Sequence, residues 1–127
     1  MRYIKQVVVP FLAFFSAFAF AAESFNTIQS RAHHMGETPQ GKTYEKQFRA
    51  AIGASMRDAL ETCTKNTNPP YTVNLVFTIA SNGSVRHIVP APQQPVSRCV
   101  AQQLTGVRVP APPKNEWLVA MNITVKD

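Results

Sequence analysis

From position 71 the chain alternates. Tyr71, Val73, Leu75, Phe77 and Ile79 are large and apolar, and Thr72, Asn74, Val76, Thr78 and Ala80 stand between them. A period of two places the first set on one face of a strand and predicts that this face is buried. The second set contains no charge, so the strand over 71–80 is expected at the centre of a sheet rather than at an edge. Ser81, Asn82, Gly83 and Ser84 follow, and Asn-Gly supplies the positive φ values of a tight hairpin turn. A second strand over 85–90 returns from it. Strict alternation would leave Ile88 outside, whereas a bulge near Arg86 and His87 brings both Val85 and Ile88 inward. Pro90 cannot donate to a ladder, which makes this second strand a blunted edge. A last strand over 116–125 alternates Trp117, Val119, Met121, Ile123 and Val125 with Leu118, Ala120, Asn122 and Thr124, without a proline or glycine.

Two stretches have the helical period instead. Over 43–64, Tyr44, Phe48, Ile52, Met56, Leu60 and Cys63 recur every three or four residues beside Ala51 and Ala59, with Lys46, Arg49, Ser55, Arg57 and Glu61 on other faces. Thr43 is a candidate N-cap, with Glu45 in the first turn. This amphipathic stripe is read as packing on the strand face rather than on a membrane. A second helix is expected over 95–105, with Pro95 at its first position, Gly106 at its C-terminal cap, and Val96, Cys99, Val100 and Leu104 on its apolar side. Both helices are expected on the same face of the sheet. Val107 to Pro113 reads as an extended, proline-stiffened connector.

Upstream, Arg2 and Lys5 precede an uncharged, mostly apolar run that ends in small residues, with Ala19 and Ala21 fitting a signal-peptide cleavage site. The expected division is a signal peptide over 1–21, a flexible polar arm over 22–42 with a short turn of helix near Ile28, and one domain over 43–127. The run is short for a membrane span, so an anchor is disfavoured against cleavage and export. Removing Arg2 and Lys5 leaves 11 Lys and Arg against 7 acids, so the net charge falls from +6 to +4. No block of Lys and Arg exceeds two residues, which does not suit a nucleic-acid partner.

Cys63 and Cys99 are the only cysteines, and an even number in an oxidising compartment suggests a disulfide. The sequence leaves open whether they pair with each other or with another chain. The cysteine spacing is not a metal pattern. His33, His34 and Met35 could attract copper but are too few to form a site alone. His87 reads as a surface histidine. No catalytic motif or close pair of carboxylates is present, so neither enzymatic activity nor a cofactor is expected.

The order helix, strand, Asn-Gly turn, strand, helix, Pro-x-Pro, strand resembles the C-terminal domain of the TonB/TolA family. Cys63 before the hairpin, the segment from Phe77 to Val85, Cys99 and Val100 in the second helix, and Val109, Pro110, Ala111 and Pro112 before the last strand carry the likeness, with Val109 replacing the family's usual aromatic residue. The likeness lies with the cysteine-containing, TolA-like branch and covers about 43–127. It implies an α+β fold: a two-layer sandwich whose three-stranded, antiparallel or mixed sheet has the order 2-1-3 and is covered on one face by two helices. It further implies a role in the Gram-negative cell envelope; where the family's energy transducers carry a membrane anchor and a long spacer, this chain has a short signal-like segment and an arm of about 20 residues, so a stand-alone periplasmic module is expected. Candidate partners are envelope or periplasmic proteins, among them extended segments of outer-membrane or Tol/Ton components. Trp117, Leu118, Val119, Ala120, Met121, Asn122, Ile123 and Thr124 would form the edge at which a partner strand is added. The N-terminal arm is the rival occupant of that edge. The alternative function is an exported inhibitor or immunity-type protein against a toxin or envelope hydrolase.

Overall fold

The computed structural model describes residues 24–126. The signal-peptide expectation over 1–21 lies outside the described residues. In chain order the elements are α1 (Phe25–Glu37), α2 (Pro39–Cys63), β1 (Tyr71–Ile79), β2 (Val85–Ala91), α3 (Pro95–Leu104) and β3 (Trp117–Val125). The three strands form one sheet in the order β2-β1-β3, antiparallel at both junctions. The α+β class and the 2-1-3 order expected from the sequence are thus observed.

The uncharged strand is central because both of its faces are covered. On the first face, Val73, Leu75, Phe77 and Ile79 of β1 meet Val85 and Ile88 of β2 and Trp117 and Val119 of β3. Above them lie Tyr44, Phe48, Ile52 and Met56 of α2 and Val96, Val100 and Leu104 of α3. Phe48 packs edge-on against Phe77 with ring centroids 5.0 Å apart, which locks α2 over the middle of the sheet. The expected bulge is present: the pairing with β1 passes from His87 opposite Thr78 to Val85 opposite Ile79. Arg86 is therefore the extra residue, and both Val85 and Ile88 are buried. The hairpin turn differs in detail from its expectation. Only Gly83 takes a positive φ (85°), so Ser81 and Asn82 make an ordinary turn closed from the Gly83 N–H to the Ala80 carbonyl (2.9 Å).

Cys63 at the end of α2 and Cys99 in α3 form a disulfide with their Cα atoms 5.7 Å apart, so the pairing is within the chain. The Val107 to Pro113 connector does more than span. Its first part clips onto the start of β2: the Gly106 N–H donates to Val85, the Val85 N–H to Val107 and the Val109 N–H to Gly83, at 2.8–3.0 Å. A Cβ on Gly83 would run into the Val109 carbonyl, so only glycine permits this close approach.

The second face departs from the sequence reading. The region expected to be a flexible arm contains α1, capped by Ser24, and the first turn of α2. Ala32 of α1 seals Val76 of β1 and Leu118 of β3, with Phe25, Ile28, Met35 and Ala120 around them. The sheet therefore has helices on both faces, not on one alone. Helix α2 also begins earlier than expected, at Pro39, and its N-cap is Thr38 rather than Thr43. The Thr38 hydroxyl accepts from the Gly41 N–H (3.0 Å) and donates to the Met35 carbonyl (2.9 Å), so one residue ends α1 and starts α2. Gly41 is buried in this corner, where a Cβ would strike the Met35 carbonyl. Gly36, Pro39 and Gly41 thus make a sharp bend between two helices, not a loose segment.

Candidate interaction surface

The sheet has two edges, and the sequence-predicted site is one of them. Strand β3 pairs with β1 along its whole length, from Ile79 opposite Trp117 to Tyr71 opposite Val125. Its side chains divide into two groups. Trp117, Leu118 and Val119 are buried, so the start of the strand belongs to the core. Ala120, Met121 and Ile123 are half-buried, and Asn122 and Thr124 are exposed. The accessible part of the predicted docking edge is therefore its C-terminal half.

Among the described residues, no backbone hydrogen bond other than those of the β1 ladder reaches β3. Helix α1 packs against the face of β3 rather than along its edge, and Gln29 Nε2 donates to Asn122 Oδ1 at 3.5 Å. A nine-residue edge strand without proline, glycine or bulge keeps a regular row of outward backbone groups.

The chain enters β3 through Glu116, which holds φ 56°, a left-handed conformation that a non-glycine residue adopts only under constraint. Trp117 then packs edge-on against Tyr44, with centroids 6.0 Å apart. The indole Nε1 is buried without a hydrogen-bond partner. The Tyr44 hydroxyl donates to the Pro110 carbonyl at 2.8 Å, and burial pushes its pKa up from 10.0 to about 12.

The β2 edge is built otherwise. The connector covers its first residue, Pro90 brings no N–H, and Gln93 Nε2 donates to the Pro90 carbonyl at 2.8 Å. A cleft of about 610 Å³ opens beside it on the second face, between α1 and β2; Ile28, Thr78, Val89 and Leu118 contribute to its lining. Sequence reasoning did not find this cleft, because it exists only once α1 is a helix. The signal for it was the stripe Phe25, Ile28, Ala32 and Met35, together with Val76 and Leu118 turned away from the main core.

His33 and His34 are exposed, while Met35 packs against the core, so the three residues do not converge. His34 lies 3.9 Å from Glu37. Among the described residues no group of three or more His, Cys, Asp and Glu could hold a metal ion, and no helix is long and apolar enough to cross a membrane. No protein-family model, curated protein or solved structure matches the chain.

Proposed function

We propose that the chain is a non-enzymatic protein-binding module of the bacterial cell envelope, similar to the C-terminal domain of the TonB/TolA family. In this reading it is exported to the periplasm with loss of residues 1–21. It takes up an extended segment of an envelope protein as a fourth strand on β3. The observation that carries the reading is the outer backbone of β3 between Ala120 and Thr124, which among the described residues takes no hydrogen bond from beyond the β1 ladder, in a chain whose other edge is blunted. Added strands draw affinity from backbone hydrogen bonds and specificity from alternate side chains. Here those side chains would meet half-buried Met121 and Ile123 on one face and exposed Asn122 and Thr124 on the other. The disulfide supports export, since such bonds persist in oxidising compartments. The 2-1-3 order supports the family likeness, while α1 is an element that the likeness does not account for.

The test is photo-crosslinking in cells from a reactive residue at Thr124 and, separately, at Asn122, followed by mass spectrometry of the adducts. A discrete adduct to one envelope protein from both sites is the expected result. A folded, exported protein that yields no adduct from either site would sink the reading.

A further inference from the structure

The β2 side of the molecule has little backbone to offer, but it carries charge of one sign. Between Glu61 and Glu116 the sequence contains no Asp or Glu, and in that interval stand Lys65, Arg86, Arg98, Arg108 and Lys114. The fold builds β1, β2, α3 and the connector from this acid-free interval, which brings Arg86 and Arg98 to the two sides of β2 and pairs Arg108 with Ser84 at its start. Arg86, His87, Arg98 and Arg108 are all exposed, and none of the three arginines has a carboxylate within ion-pair distance among the described residues.

Two clefts lie along this flank. The larger, on the second face, has an apolar floor of Ile28, Val89 and Leu118 with Arg31 and Arg86 at its side; Glu116 is the only acid among the described residues that line it. The smaller, about 290 Å³, lies between β2 and α3 and is lined in part by Arg98, Ala101 and Gln102. His87, Ile88 and Pro90 line both, so β2 forms the ridge between two adjoining clefts.

We propose that this ridge is a second docking surface, independent of β3, and that its occupant is an acidic, partly apolar segment of a partner protein. Charge complementarity fixes the sign of the partner, because a surface on which exposed arginines outnumber acids attracts carboxylates and repels basic segments. The apolar floors favour a polypeptide over a bare polyanion, since they would seat side chains beside the carboxylates. Arginine forks at Arg86 and Arg98 suit carboxylates in bidentate geometry. A nucleic acid would need a longer track of cations than these spaced arginines supply.

The experiment uses the full chain after export and a fluorescein-labelled peptide of alternating glutamate and leucine or valine. Its controls are the same peptide with glutamine for glutamate, an oligothymidylate, and vesicles of phosphatidylglycerol in phosphatidylcholine. Anisotropy should show binding of the acidic peptide that weakens as salt rises. Binding should fall by at least roughly tenfold for the Arg86→Glu/Arg98→Glu variant. Arg86→Gln/Arg98→Gln should fall less, and Lys42→Glu/Lys46→Glu on α2 should leave binding unchanged. Crosslinking from Thr124 should persist in Arg86→Glu/Arg98→Glu, which separates a failure here from a failure of the β3 reading. Equal binding of the glutamine peptide, equal binding by the charge-reversed variant, or equal capture of oligothymidylate or vesicles would each overturn the proposal.

Discussion

The outer strands β2 and β3 flank the same central strand, yet they meet solvent in opposite ways. Strand β2 is short and bulged, its first residue is held by the connector, and its later part is closed by Pro90 and Gln93. Strand β3 is longer and regular, with none of these features. Folded proteins protect exposed edges because an unprotected row of N–H and C=O groups recruits other chains. Among the described residues, β2 is guarded in these ways and the outer side of β3 is not. The difference teaches that the two sides present different chemistry to solvent: a regular strand edge at β3, and exposed arginines beside apolar clefts at β2.

The largest test of this comparison removes the tie that holds the β2 side. The disulfide anchors α3, a wall of the smaller cleft, to the end of α2 across a sequence separation of 36 residues. Closing a loop of that length is worth about 4 kcal/mol in the chain-entropy description. Cys63→Ser/Cys99→Ser should therefore lower the unfolding free energy by about that amount in a urea titration. Hydrogen exchange should rise more in α3 and β2 than in β3. Uniform loss of protection across the sheet would show that the two edges are not separately supported.

A smaller loss, about 2–3 kcal/mol, is expected for Gly83→Ala. The new Cβ would occupy a φ of 85° and strike the Val109 carbonyl, so the connector must lift from the start of β2. Besides the fall in denaturation midpoint, the variant should gain a concentration-dependent tendency to associate, because part of the β2 edge is uncovered. If it were destabilised but remained monomeric at high concentration in light scattering, the connector would be a structural strap and not an edge guard.

The comparison also separates what was legible in the sequence from what was not. Strand β1, helix α2 and the bulge beside Arg86 were readable because each has a dense apolar period or a residue with one geometric meaning, such as Pro90, whereas the edge position of β3 followed from the family resemblance. The opposite face was harder to read. Helix α1 places a single apolar residue on each turn, and the central one is only Ala32, so its stripe is lost among polar neighbours. Gly36, Pro39 and Gly41 look like loop residues when read locally. Their purpose, a close approach of α1 to α2 through Thr38, depends on a contact between two helices. The clefts beside β2 were invisible for the same reason: they are the space that α1 and α3 leave uncovered. Strand β3 is an edge, but the first three residues of the stretch expected to dock a partner, Trp117, Leu118 and Val119, serve the core.

The smallest effect concerns the residue that links the two edges. The connector begins at the guarded end of β2 and leads to the start of β3, and the Tyr44 hydroxyl holds it midway through the Pro110 carbonyl. Tyr44→Phe keeps the ring contacts with Phe48 and Trp117 but removes that donor, at a cost of about 1 kcal/mol. It also has a pH signature. The native fold retains the phenolic proton up to about 12, whereas the unfolded chain releases it near 10.0. The raised pKa therefore contributes stability that is fully present below pH 10.0 and is progressively lost as pH rises towards about 12. Unfolding free energy measured across that window should decline more steeply for the wild-type chain than for Tyr44→Phe, which has no phenol there to titrate. Superimposable alkaline limbs would mean that the connector is held without Tyr44, and that the two edges are coupled only through β1.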